Sequence, residues 1–151
     1  MFPNPIHVYI ASTLRLPNEK EGVTGFMIEC RMPSGKIETR APQYCHLTEN
    51  TPDSSRLKTI KIALNHIRVE SEVVVHLDDD RIAGLWTMDM PRRWESTGWL
   101  TTRGGEVKNR QLWEGILGEI REKKLRVTME ADQECRYVKM LKMECGEKNS
   151  R

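Results

Sequence analysis

Residues 91–113 read PRRWESTGWLTTRGGEVKNRQLW. The stretch holds three of the chain's four tryptophans, Trp94, Trp99 and Trp113. It sets five cations (Arg92, Arg93, Arg103, Lys108, Arg110) against two acids, Glu95 and Glu106. Gly104-Gly105 marks a turn. Beyond it, Leu112, Trp113, Ile116, Leu117 and Ile120 recur at the spacing of one helix face, which predicts a helix over about 109–123. Asn109 stands where a side-chain oxygen caps such a helix. Cations interleaved with aromatic rings suit a groove that meets a phosphate backbone. They also suit an ordinary corner between helices, with rings in the core and cations in solvent.

Outward from this segment, Leu125–Met129 predicts a strand. Asp132–Glu144 predicts a last helix with Tyr137, Val138 and Leu141 on its apolar side. Upstream, Arg81–Met88 suits a short helix, and the β-branched run Val73-Val74-Val75 places a central strand over Glu72–Leu77. Asp78-Asp79-Asp80 closes that strand and reads as a strand exit and helix cap, with metal binding as the alternative. Leu57, Ile60, Leu64 and Ile67 form a helical stripe with Lys58, Lys61 and Asn65 outward. Nearer the start, residues 7–12 suit a buried strand, Thr13–Gly22 a loop, and Thr24–Met32 an alternating strand. Pro33-Ser34-Gly35 turns into a third strand over Lys36–Leu47, where Pro42 argues for an edge or a bulge. Three meandering strands followed by strand–helix units predict a mixed α/β fold. The expectation is a five-stranded mixed sheet with helices on both faces, in a single domain over 1–151.

A chain of 151 residues suits one domain, which buries roughly two-thirds of its unfolded surface. With 38% hydrophobic and 30% charged residues it has a globular and not a disordered composition. No apolar run nears the ~20 residues of a membrane span, and the first residues lack the pattern of a signal peptide, so a cytoplasmic setting is expected. The four cysteines, Cys30, Cys45, Cys135 and Cys145, show no zinc-site spacing and are expected reduced and mostly buried. A net charge of +2 says little about nucleic acid; its concentration over 92–110 says more. His76 reads as a core or sheet-face residue, while His7, His46 and His66 are scattered.

Trp94-x-x-x-Gly98-Trp99 followed by Val107-Lys108-Asn109-x-x-Leu112-Trp113 resembles the basic handle of the ribonuclease H family. In that family the handle contacts the DNA strand of an RNA/DNA hybrid. The order of strands and helices is also that of the ribonuclease H-like fold, so the resemblance covers nearly the whole chain. It implies cleavage of RNA in hybrids by two divalent cations, Mg or Mn, roughly 4 Å apart and held by four acids. Of those four positions, Asp78 ends the fourth strand as the family's aspartate does, with Asp79 as the fallback by one register step. Both are the candidate metal ligands. The first-strand aspartate is replaced by Ala11 in Tyr9-Ile10-Ala11-Ser12-Thr13. Counting back from Ala63-Leu64 places Arg56 where the helix glutamate belongs, or Ser55 if the register slips. On the last helix Lys139–Met140 falls nearest, with Glu134 and Glu144 each about a turn away.

Three of four acid positions are therefore unmatched, and enzymatic activity stays open. The expectation is a ribonuclease H-like protein with a degenerate active site, a pseudoenzyme. It would bind an RNA/DNA hybrid or similar duplex through Arg92, Arg93, Trp94, Trp99, Arg103, Lys108, Asn109 and Arg110. One alternative is an active metal-dependent ribonuclease using Asp78, Asp79 and Glu130 or Glu134. Another is a catalytically dead fold serving as a protein-interaction module.

Overall fold

The computed structural model describes residues 4–150. In chain order they form β1 (Ile6–Ser12), β2 (Gly22–Arg31), β3 (Ile37–Thr39), β4 (Gln43–Leu47), α1 (Pro52–Asn65), β5 (Glu72–Leu77), α2 (Arg81–Thr87), α3 (Met90–Ser96), α4 (Arg110–Lys123), β6 (Arg126–Ala131) and α5 (Arg136–Asn149). The sheet runs β3-β2-β1-β5-β6, with β4 also paired to β2. The β1–β2 pairing is antiparallel, whereas β1–β5 and β5–β6 are parallel. The expected third strand is two strands, so the sheet has six. Pro42 has no N–H to give the ladder, and the chain breaks there into β3, paired at Glu29–Arg31, and β4, paired at Gly22–Phe26.

Alternation along β1 divides the core. Val8 and Ile10 face α1 and α4, joining Phe26, Leu57, Ile60, Leu64, Trp113, Ile116 and Leu117. Tyr9 and Ala11 point to the other face, where Met27, Val138 and Leu141 bury them beneath α5. Helix α1 starts at a capping box. Thr51 Oγ1 accepts from Ser54 N at 3.0 Å, Ser54 Oγ accepts from Thr51 N at 2.8 Å, and Pro52 opens the first turn.

The tryptophan-rich segment is part of this core. Trp113 is 1% exposed, and the rings of Trp86 and Trp94 lie against it at centroid distances of 6.4 and 6.2 Å. Trp86 Nε1 donates to Val127 O at 3.0 Å. Trp99 adopts φ 65°, a region costly for a bulky side chain. Its own N donates to Trp94 O at 2.6 Å, its O accepts from Val107 N at 2.9 Å, and the residue is 4% exposed. Burial of the indole holds the backbone in that conformation.

Three expectations need correction. Asn109 does not cap α4 through its side chain; it takes φ 64°, which asparagine tolerates, and makes no cap hydrogen bond. The last helix begins at Arg136, because residues 132–135 form a turn closed by Cys135 N donating to Asp132 O at 3.1 Å. Of the four cysteines, all free, only Cys145 is buried; Cys45 is exposed and the other two are half-buried.

Trp113→Ala is expected to lower the unfolding free energy by about 3–5 kcal/mol in a denaturant titration, since it removes a fully buried ring from beneath two others. A loss under about 1 kcal/mol would show that the indole cluster is not a core.

Candidate nucleic-acid interface and carboxylate site

Asp78 follows the last residue of β5 and is 2% exposed. Its Oδ1 accepts from Arg56 Nε at 2.7 Å, and its Oδ2 accepts from Arg56 Nη2 at 3.0 Å and from Ser12 N at 3.1 Å. Arg56, one turn into α1 and 2% exposed, also donates from Nη1 to Leu14 O at 3.0 Å and Pro52 O at 3.1 Å. Ser55 lies in the same pocket, its Oγ 2.9 Å from Ser12 Oγ. Ser55 bonds Ser12 and the Pro52 carbonyl, and the α1 residue that meets the Asp78 carboxylate is Arg56. Burial alone works against the Arg56 charge, but hydrogen bonding to Asp78 and the charges of Asp78 and Asp79 outweigh it and hold the guanidinium above its usual range.

Asp79 Oδ2 lies 3.4 Å from Arg56 Nε, while its Oδ1 is buried with no hydrogen-bond partner. Burial pushes its carboxyl above the ordinary value, and the nearby Arg56 only partly offsets this. Asp80 stands at the N-cap of α2 but makes no side-chain cap bond.

Ala11 is fully buried under α5. Its β2 partner is Gly25, where an added Cβ would come within 2.8 Å of the Tyr44 ring and 3.1 Å of Cys145 Sγ. Burial pushes the Cys145 thiol up to about 12. Glu134 precedes α5 and forms an exposed pair with Lys139 at 2.7 Å. Glu130 lies instead beside His76, 3.2 Å from Nδ1.

The handle cations differ in their surroundings. Arg92 sits 3.4 Å from Asp89 and 5.7 Å from the Trp86 ring centre, and Arg110 pairs with Glu114 at 2.7 Å. Arg93, Arg103 and Lys108 are exposed, with no salt bridge among the described residues. Trp94 is half-buried against the core, and Trp99 is buried. Lys108 and Asn109 line a cleft of about 810 Å³ with Arg15, Lys20, Pro52 and Arg81. Arg81 is bound to Asp53 at 2.9 Å on that wall. Local sequence does not signal Arg15, Lys20 and Arg81, because only the fold brings the loop after β1 to Lys108 and Asn109. His76 lies on a sheet face, as its place in the strand suggests, in the cross-strand register Tyr9↔His76↔Glu130.

Among solved structures, this arrangement is similar to LC9-RNase H1, a type 1 RNase H with the type 2 active-site motif (TM-score 0.70, 18% identity, covering 99% of this chain and 72% of that one). The chain has a ribonuclease H-like fold. The ribonuclease H-like likeness extends to the solution structure of the prototype foamy virus RNase H domain (TM-score 0.61, 12% identity, 96% and 90% covered). It also extends to the foamy viral protease-reverse transcriptase in complex with an RNA/DNA hybrid (TM-score 0.70, 12% identity), where 94% of this chain spans 19% of that one. No family model and no curated protein sequence matches the chain.

Arg56→Met and Asp78→Asn should each destabilise the fold by about 3–5 kcal/mol, because each strands a buried partner. Unchanged unfolding midpoints in both would show that the pair is not buried in solution.

Asp79 adds a pH dependence. Its folded-state value lies above the ordinary 3.8, so its contribution to stability is fully present below the unfolded value and is lost as pH rises through the folded one. Asp79→Asn is expected to raise Tm at pH 7 and to change it less at pH 3. An equal shift at both would assign the effect to packing.

Proposed function

We propose that this chain is a ribonuclease H-like nucleic-acid-binding protein whose conventional two-metal nuclease activity is weak or lost. Its ligand in this reading is an RNA/DNA hybrid or another A-like duplex, held through phosphates with little base readout. The observation that carries it is a cation-lined cleft directly beside a carboxylate closed by Arg56. Leu14 and Pro52, whose carbonyls Arg56 binds, adjoin or line the cleft that holds Arg15, Lys20, Arg81 and Lys108. The foamy viral protease-reverse transcriptase, part of which shares this fold, was solved with an RNA/DNA hybrid and with dsDNA, which supports that ligand class.

Mg or Mn does not fit the Asp78 site. Both carboxylate oxygens are engaged, and a guanidinium lies within 3.0 Å. At an effective dielectric of about 20, one cation some 4 Å from a divalent ion is repelled by on the order of 8 kcal/mol. Ala11 supplies no bridging oxygen. An active nuclease with rearranged acids would need Glu130 or Glu134 beside Asp78, and these pair with His76 and Lys139 instead. A cytoplasmic setting belongs to this reading.

The test is a salt titration of binding to hybrid and to duplex DNA, with a cleavage assay in Mg and Mn alongside. Affinity should fall with salt at a log–log slope of about −3 to −5, and Lys108→Ala and Arg93→Ala should each lower the slope by about one. Cleavage should stay at the blank. Binding absent at low salt, or untouched by both variants, would favour a protein-interaction module. Cleavage abolished by Asp78→Asn would restore the nuclease.

A further inference from the structure

On the α5 face of the sheet, register lines up polar residues from three adjacent strands. Tyr9 on β1 pairs with His76 on β5, and His76 pairs with Glu130 on β6. The turn after β6 then brings Asp132 back to the same histidine. His76 Nδ1 lies 2.8 Å from Asp132 Oδ2 and 3.2 Å from Glu130 Oε1. The three ligand atoms all fall within 4.8 Å of one another, and among the described residues no other His, Cys, Asp and Glu side chains group in this way.

We propose that His76, Glu130 and Asp132 ligate a divalent transition-metal ion of the zinc class, with His7 orienting His76 from behind. Donors bound tetrahedrally to zinc at about 2.0–2.1 Å stand roughly 3.3 Å apart, so the two distances at Nδ1 need only small side-chain shifts to enclose an ion. One imidazole with two carboxylates selects zinc, or a neighbour in the first transition row, over magnesium, which favours an all-oxygen octahedron. His7 Nδ1 sits 2.8 Å from His76 Nε2. When His76 donates from Nε2 to that nitrogen, its Nδ1 lone pair points between the two carboxylates, the usual role of an outer partner on a ligating histidine. Stacking of Tyr9 on the His76 ring, with centroids 4.7 Å apart, fixes the ring plane.

Burial is graded in the sense such a site needs. The His76 side chain is 9% exposed, whereas Asp132 and Glu130 are 35% and 57% exposed, so the carboxylates face the side from which an ion enters. Three protein ligands leave a tetrahedral ion one position for water or a ligand. The site is separate from the Asp78 carboxylate, whose oxygens are taken by Arg56 and Ser12, and does not depend on nucleic-acid binding.

Zinc chloride alone, titrated by calorimetry into the intact chain, tests the assignment. One equivalent should bind, with a hundredfold excess of magnesium failing to compete. Asp132→Asn and Glu130→Gln, both at partly exposed side chains, should each weaken zinc at least tenfold while leaving Tm within a few degrees. His7→Phe should weaken it about tenfold. Cys45→Ser should change nothing; weaker binding there would move the ion to the exposed Cys45 and His46 and overturn the assignment. No zinc binding at millimolar concentration, or affinity unaltered by both carboxylate variants, would overturn it equally. Crystals grown with zinc should show an anomalous peak in bonding distance of all three residues, and a peak elsewhere would refute the site.

Discussion

The buried contact between Arg56 and Asp78 ties four segments together. One guanidinium reaches the carboxylate at the end of β5, the carbonyl of Leu14 after β1, and the carbonyl of Pro52 in the first turn of α1. Ser12 N completes the carboxylate. A planar five-donor cation satisfies all of these at once, which a lysine could not. Such a pair adds little over a well-packed apolar replacement, because desolvating both charges offsets their attraction. Its larger effect is on geometry: the loop after β1, the start of α1 and the exit of β5 are held in fixed relation.

That geometry closes one end of the sheet, around Asp78. From one side Arg56 occupies the carboxylate. From the other, α5 lies across Ala11 and Gly25 with Val138, Leu141 and Cys145. A carboxylate at position 11 would be buried among apolar groups, at a cost of several kcal/mol without a partner. Arg56 of α1 and the packing of α5 on Ala11 thus fill that sheet end from both sides.

A cleft lined by cations lies beside this buried pair. The exposed Lys108 shares one cleft with Arg15, Lys20 and Arg81, while Trp86 stacks on Trp113 and Trp94 tilts against it in the core. The rings of the 91–113 segment lie in or against the core, and its cations Arg93, Arg103 and Lys108 are exposed.

Much of the architecture was legible in residue order. The Leu57–Ile67 stripe, the Val73–Val75 run and the α4 pattern each bury a face at a period that local sequence states directly. The Arg56 and Asp78 positions were also readable, through their offsets from Ala63-Leu64 and Glu72-Val73. Local sequence stated less where competing local options exist: Pro42 splits one strand into two, and Asn109 uses its tolerance of a left-handed backbone instead of its capping oxygen. What only the tertiary structure decided are the contacts made across strands and loops far apart in the chain. Parallel register puts His76 between Tyr9 and Glu130, and the fold sets Arg15 and Lys20 opposite Lys108. Side-chain periodicity records which face a residue takes, but which neighbour it meets there depends on strand pairing and helix packing that no single segment encodes.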